Sequence, residues 1–372
     1  MIVKKYILIA LVCAGLMPSD MFAQGSVATG VTDNFDGRVR ELDPVVPGFE
    51  EASPTFIKTG QAGFAFLSIP TDARTAALGG AGVGLIGSGS AILFNPGALA
   101  FMEGKEAHVT YVDWLVDTKS MVAGVAVNVP GRGTFGLSIV TFDAGTVNGT
   151  SIDPNPAGAG FKDEGEITTS NYAISAAYGL KITDRFSAGA TLRMAHQDLG
   201  TGNIFLGASR QTVDNSKNAF AFDLGTYFNT GFRNTVMAMS VQNFSTEVVY
   251  QREQFELPRN IRLGLLIDVI SMMGNTPVPH HLDLALDVNN PIDFDERIHV
   301  GAEYTYRAAG SSIGFTLRGG YKTNHDTEGI SAGGGLQFKT EGGQGVKVDY
   351  AFKQFDSAFF SSVHILSAAV TF

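Results

Sequence analysis

From residue 105 to the end of the chain, apolar and polar residues alternate in segments separated by turn signals. Leu282, Leu284, Leu286 and Val288 fall on one side of such a segment, and His281, Asp283, Asp287 and Asn289 on the other. Val346, Val348, Tyr350 and Phe352 oppose Lys347, Asp349 and Lys353; Ile298, Val300, Ala302, Tyr304 and Tyr306 oppose His299, Glu303 and Arg307. A period of two is that of a strand, whose successive side chains point to opposite faces. About fourteen segments recur at roughly the 9 to 11 residues of a tilted membrane-crossing strand. Their expected spans are 105–114, 119–129, 133–143, 168–180, 184–198, 219–229, 233–244, 261–270, 280–290, 297–307, 312–322, 329–339, 345–355 and 362–372. A soluble sandwich with one solvated face would show the same period, but strand number and length favour a barrel with a lipid-facing outside and a polar inside.

The connections agree with a barrel. If the first strand runs upward, the lower end receives mostly short turns, at 130–132, 181–183, 230–232, 271–279, 308–311 and 340–344. The upper end receives 144–167, 199–218 and 245–260, the longest connections. Long outer loops and short periplasmic turns characterise outer-membrane barrels. An even strand number returns the last strand to the periplasmic side, where a terminal Phe372 looks like the aromatic read by barrel-assembly machinery. Arg193, Asp223, Arg262, Asp268, Asp283, Asp287, Glu303, Arg307, Arg318, Lys347, Asp349 and Lys353 would line the interior. Both signs fall on neighbouring strands, which suits paired, buried charge around a plug better than a selective ion pore.

Residues 64–100 differ in kind. Glycines at 79, 80, 82, 84, 87, 89 and 97 lie among small apolar residues, which lets the backbone turn sharply and approach a surrounding wall. Ser90 or the preceding Gly-Ser pair would cap one short helical turn, and Asn95-Pro96 would stop it. This stretch is expected to be a plug inside the barrel, with Asp72, Arg74, Gly79, Gly80, Asn95 and Pro96 as its key residues. Asp72 and Arg74 would pair with the charged wall, and the Asn95 side chain would bond the backbone of its own turn.

Composition narrows the setting. Residues 1–23 read as a secretory signal peptide, with Lys4 and Lys5 before an apolar core and Met21-Phe22-Ala23 before the expected cleavage. The single cysteine, Cys13, lies in that core, so thiol chemistry and disulfides are not expected of the mature chain. Residues 24–63 carry no sustained period and read as an extended lead-in. No later apolar run reaches the length of a membrane helix. With 26 basic against 36 acidic residues and no basic cluster, a nucleic-acid partner is not expected.

Catalytic chemistry lacks its parts. The seven histidines are scattered, and neither HExxH nor GxSxG occurs. The His280-His281 pair points to opposite faces of a strand and suits a rim better than a metal, and the glycine-rich 84–90 stretch lacks the Lys-Ser/Thr ending of a phosphate loop. No enzyme activity, metal or cofactor is therefore expected. At the outer rim, Phe355, Phe359 and Phe360 in the last upper loop, with the single tryptophan Trp114 nearby, form a candidate partner-binding surface or, equally, a lipid girdle.

Four stretches carry a family resemblance: FLSIPTDARTAALGGAGVG (66–84) with LFNPGALA (93–100), YVDWL (111–115), YGLKITDRFSAGATL (178–192) and VDYAFKQF (348–355). In these the chain resembles the PorV/PorQ proteins of the bacterial type IX secretion system, which have FadL-like outer-membrane barrels. The resemblance implies a non-enzymatic barrel that binds the C-terminal signal domains of secreted cargo, docks on the translocon, or both. Its partners would then be outer-membrane lipid, the translocon and cargo. A FadL-like transporter of hydrophobic small molecules is the alternative, to be told apart by a continuous apolar pocket or a lateral gap in the wall. The expected organisation is all-β: signal peptide 1–23, lead-in 24–63, plug or hatch 64–104, and a transmembrane antiparallel β-barrel of about fourteen strands over 105–372.

Overall fold

The computed structural model describes residues 60–372 apart from 154–157, 207–208, 233, 251–252, 271–278, 326, 341, 343 and 356–361. The signal peptide, the lead-in up to residue 59, and Phe359 and Phe360 therefore lie outside the described residues.

After the N-terminal segment come β1 (Lys105–Asp113), β2 (Lys119–Val129) and β3 (Gly133–Asp143), then a separate hairpin of β4 (Val147–Ile152) and β5 (Phe161–Ile167). The wall resumes with β6 (Ser170–Lys181), β7 (Phe186–Leu206), β8 (Ser209–Asn229) and β9 (Val236–Ser245), followed by a small hairpin of β10 (Val248–Tyr250) and β11 (Glu253–Phe255). It is completed by β12 (Asn260–Asp268), β13 (His280–Pro291), β14 (Arg297–Tyr306), β15 (Ile313–Lys322), β16 (Glu328–Lys339), β17 (Gly345–Phe355) and β18 (Val363–Thr371). Fourteen of these strands, all but the two hairpins, form one closed antiparallel barrel in which β1 pairs with β18.

The period of two decides which face meets lipid. Leu137, Leu192, Phe220, Leu263, Leu317 and Leu336 are exposed on the outside, while Thr110, Ser138, Ser175, Thr191, Ser240 and Ser367 are buried on the inside. An apolar exterior is unfavourable in water but matches hydrocarbon, and closure leaves no unpaired strand edge there.

Two expectations need correction. The 199–218 connection is not a loop: β7 and β8 stay paired from Phe186↔Phe228 out to Leu206↔Ser209. The ladder adjusts by a bulge between Asp198 and Thr201, where Gly200 takes φ 78°. Likewise 144–167 and 245–260 each fold back into a hairpin, β4–β5 and β10–β11. Apolar alternation ends where the membrane ends, yet backbone pairing continues beyond it, so a template of membrane-strand length stops too early.

The N-terminal segment fills the barrel. A 3₁₀ turn covers Ala65–Ser68, an α-helix Ala73–Ala77, a second 3₁₀ turn Gly89–Leu93 and a last helical turn Pro96–Leu99. Helices this short are marginal alone, since isolated helices below about 12 to 15 residues barely form in water. Caps hold them here. Asp72 Oδ2 accepts from Thr75 N–H (3.1 Å), Ser88 caps the second turn, and Asn95 Oδ1 accepts from Gly97 N–H (3.0 Å). Pro96 does not simply stop the preceding turn; it occupies the first position of the next one, where its missing N–H is harmless.

Candidate functional site

The plug backbone is satisfied by side chains of the wall. Ser187 and Ser240 donate to the carbonyls of Gly97 (2.7 Å) and Phe94 (2.6 Å), and Gln242 donates to Leu93 O (2.8 Å). Asp287 Oδ2 accepts from Gly82 N–H (2.7 Å) and Val83 N–H (3.0 Å), and Glu106 accepts from Gly89 N–H (2.6 Å). Ser331 and Ser367 accept from Gly79 N–H and Ala73 N–H, each at 2.9 Å. Because buried backbone groups must find partners, these inward polar residues dictate the plug's path.

Close approaches on two sides fix its position. A Cβ at Gly97 would lie 2.7 Å from Gly225 O on β8, and one at Gly179 on β6 would lie 2.7 Å from Pro96 O. Opposite, a Cβ at Gly79 would lie 2.8 Å from Tyr321 N on β15, and one at Gly301 on β14 would lie 2.7 Å from Leu78 O. Gly79 and Gly80 also sit at φ 70° and 84°, turning the chain after the helix. Gly179, Gly225 and Gly301 were not singled out by sequence reasoning. Their signal is glycine inside strands, which marks close backbone approach.

Charges clasp the plug on one side. Arg74 meets Glu303 in a two-pronged pair (Nη2–Oε1 2.6 Å, Nε–Oε2 2.8 Å) and its Nη1 donates to Ile86 O (3.1 Å). Glu303 is shared with Arg318 (2.5 Å), which also meets Asp349 (2.7 Å). Burial acts to lower the Arg74 pKa, but the Glu303 carboxylate outweighs it and holds the guanidinium firmly charged. Asp72 differs from expectation. It faces its own helix as a cap rather than pairing with the wall. Asn95 does both, donating from Nδ2 to Val83 O (2.7 Å) and to Thr226 O on β8 (3.2 Å). On the far wall Arg193 pairs with Asp223 (2.8 Å) and bonds Asn243 and Ser175.

Above the plug, at the end bearing the longer connections, lies a cavity of about 540 Å³. Of the candidate rim aromatics, Trp114 turns into it. Trp114 lines the cavity and meets the buried Phe355 edge-on at 5.9 Å between ring centres. The Lys353 ammonium sits 5.3 Å from the Trp114 ring and 5.5 Å from the Phe355 ring, and pairs with Glu328 at 3.1 Å. Phe355 is thus not the exposed loop residue expected from sequence. His325, in the β15–β16 connection, is held down to about 3 by burial and by Lys322 and Arg297, and stays neutral. Among the described residues no three His, Cys, Asp or Glu side chains converge as metal ligands.

Residues 161–368, more than half of the chain, match a family model described as type IX secretion system membrane protein PorP/SprF. The chain belongs to the PorP/SprF family. It is accordingly a bacterial outer-membrane β-barrel of the type IX secretion system families. The match starts beyond the plug motifs, and it is to PorP/SprF rather than to the PorV/PorQ group that those motifs resemble. Among solved structures, a FadL homologue of Pseudomonas aeruginosa aligns over 82% of this chain and 98% of its own, with 12% identity and a TM-score of 0.53. The toluene transporter TodX of Pseudomonas putida aligns over 80% of this chain and 96% of its own, with 10% identity and a TM-score of 0.52. At such identities the PorP/SprF chain shares with them a fold only. No curated protein sequence matches it.

Proposed function

We propose that this chain serves type IX secretion as a non-enzymatic barrel of PorV/PorQ type, receiving the C-terminal signal domain of secreted cargo at its outer end, docking on the translocon, or both. The PorP/SprF family match over 161–368 supports the type IX secretion setting, and the resemblance of 66–84, 93–100, 111–115, 178–192 and 348–355 to the PorV/PorQ proteins supports the cargo and docking role. Ladders close the wall all round and the plug fills the lumen, which supports a role carried by surfaces rather than by conduction. Trp114, with Phe359 and Phe360 beyond the described residues, remains the proposed partner rim, and the buried Phe355 packs behind Trp114.

A second reading, transport of hydrophobic small molecules, draws on the FadL-like fold and the cavity above the plug. The pairing of every neighbouring strand around the wall weighs against it. Affinity capture of the tagged protein from mildly solubilised outer membranes, with mass spectrometry of what accompanies it, separates the two. Secreted proteins sharing a C-terminal domain, or a very large barrel, are expected. A lone protein carrying bound fatty acid would move the assignment to transport.

A further inference from the structure

We propose that the cavity above the plug is a binding site for a small molecule bearing an oxyanion, carboxylate or phosphate, on an aromatic or aliphatic body. The proposal is independent of the secretion role. At about 540 Å³ the cavity falls within the roughly 300 to 1,000 Å³ of ordinary small-molecule sites.

Charge selects the ligand. The chain carries a net charge of −10, yet five cations, Arg259, Arg262, Arg297, Lys322 and Lys353, line this cavity against two carboxylates, Asp293 and Glu328. Glu328 is engaged by both lysines, and Asp293 accepts from the backbone N–H of Ala62. Register places the rest together: Arg262 on β12 faces Asn289 on β13, which faces Arg297 on β14, and His299 on β14 faces Lys322 on β15.

Among the described residues lining this cavity, the buried nitrogens Arg262 Nε, His299 Nε2 and His325 Nε2 lack hydrogen-bond partners, as do the amide oxygens of Asn260 and Asn289, whose NH₂ groups could turn toward an anion instead. Arg262 makes no hydrogen bond or ion pair with any described residue, and its Nε is buried. Its neighbour in charge, Asp287, already accepts from the plug at Gly82 and Val83. His299 is 6% exposed. Its Nδ1 lies 2.8 Å from Asn289 Nδ2, and with Nδ1 as the acceptor of that bond Nε2 carries the proton and has no partner among the described residues. A buried cation and a buried N–H without acceptors are costly, and an entering oxyanion satisfies both. A neutral hydrocarbon would leave both unmet, and a cation would be repelled. Phe66, Phe142, Trp114 and Phe294 supply the apolar side for the ligand's body.

The only tryptophan in the chain lines this cavity and serves as the reporter. The full-length protein in detergent micelles is titrated with benzoate, phenyl phosphate, inorganic phosphate and, as the neutral control, benzyl alcohol, following tryptophan fluorescence. Saturable responses to benzoate and phenyl phosphate that weaken as sodium chloride is raised are expected, with none to benzyl alcohol. Saturation by inorganic phosphate as well would assign the site to the anion itself, and its absence would show that the body is needed. R262Q should weaken binding roughly tenfold or more, and R262K should keep most of it. Heat-modifiable migration checks that each variant folds, and the salt dependence of the unaltered protein stands whatever R262Q does. No saturable response, an equal response to benzyl alcohol, or indifference to salt would overturn the proposal.

Discussion

Glu303 is the residue on which most of the interior charge depends. It lies between Arg74 of the plug and Arg318 of the wall, and is almost wholly buried. Removing one member of a buried pair leaves its partners charged and unmatched, at a cost of about 3 to 5 kcal/mol. E303A should therefore lower the temperature at which the extracted protein loses its compact, fast-migrating form on a denaturing gel. Loss of Arg74 alone should do less, because Arg318 would still neutralise Glu303. An E303A protein that melts with the unaltered one would show that the clasp contributes no stability. The sequence makes Arg74 and Glu303 each legible as inward charges, Arg74 by its place in the plug and Glu303 by alternation on its strand. It does not show that they meet, since they are 229 residues apart and nothing local records the register. Asp72 misleads for a related reason: a carboxylate before a short helix can cap it as readily as reach the wall.

Among the elements, the glycine seats decide whether the plug docks. Gly97 leaves no room for a side chain against Gly225, and the contact there is backbone, which cannot swing aside. G97V should leave the barrel ladders intact while displacing the Pro96–Leu99 turn, with a loss of roughly 1 to 3 kcal/mol from overpacking. Limited proteolysis checks it: new cuts between residues 64 and 104 in an otherwise heat-modifiable barrel are expected, and an unchanged pattern would show that the Gly97 seat does not hold the plug. The strands themselves are legible because lipid outside and polar groups inside impose a strict alternation. The outward extension of β7 and β8 is not, because water on both faces imposes none. Replacing residues 200–213 by a tight turn should accordingly leave the melting of the barrel unchanged and, under the cargo-receiving role proposed above, reduce the secreted proteins recovered by affinity capture.

At the scale of the molecule, closed ladders and a filled lumen were both foreseeable from strand count, loop asymmetry and the glycine-rich N-terminal stretch. The cavity was not, because its lining gathers residues from the plug, the wall and several connections, and only the closed fold brings them together. Two of its five cations, Arg262 and Lys353, nevertheless stand on strands whose inward faces alternation identifies. Ala73 N–H donates to Ser367, joining the beginning of the plug to the closing strand, and Ser367 also bonds Thr110 across the β1–β18 seam. The two sides of the seam come from opposite ends of the barrel sequence, so their meeting is among the costliest loop closures in the fold. Because Ser367 bonds both the plug and β1, a docked plug and a shut seam stabilise one another, and loosening either one weakens the other.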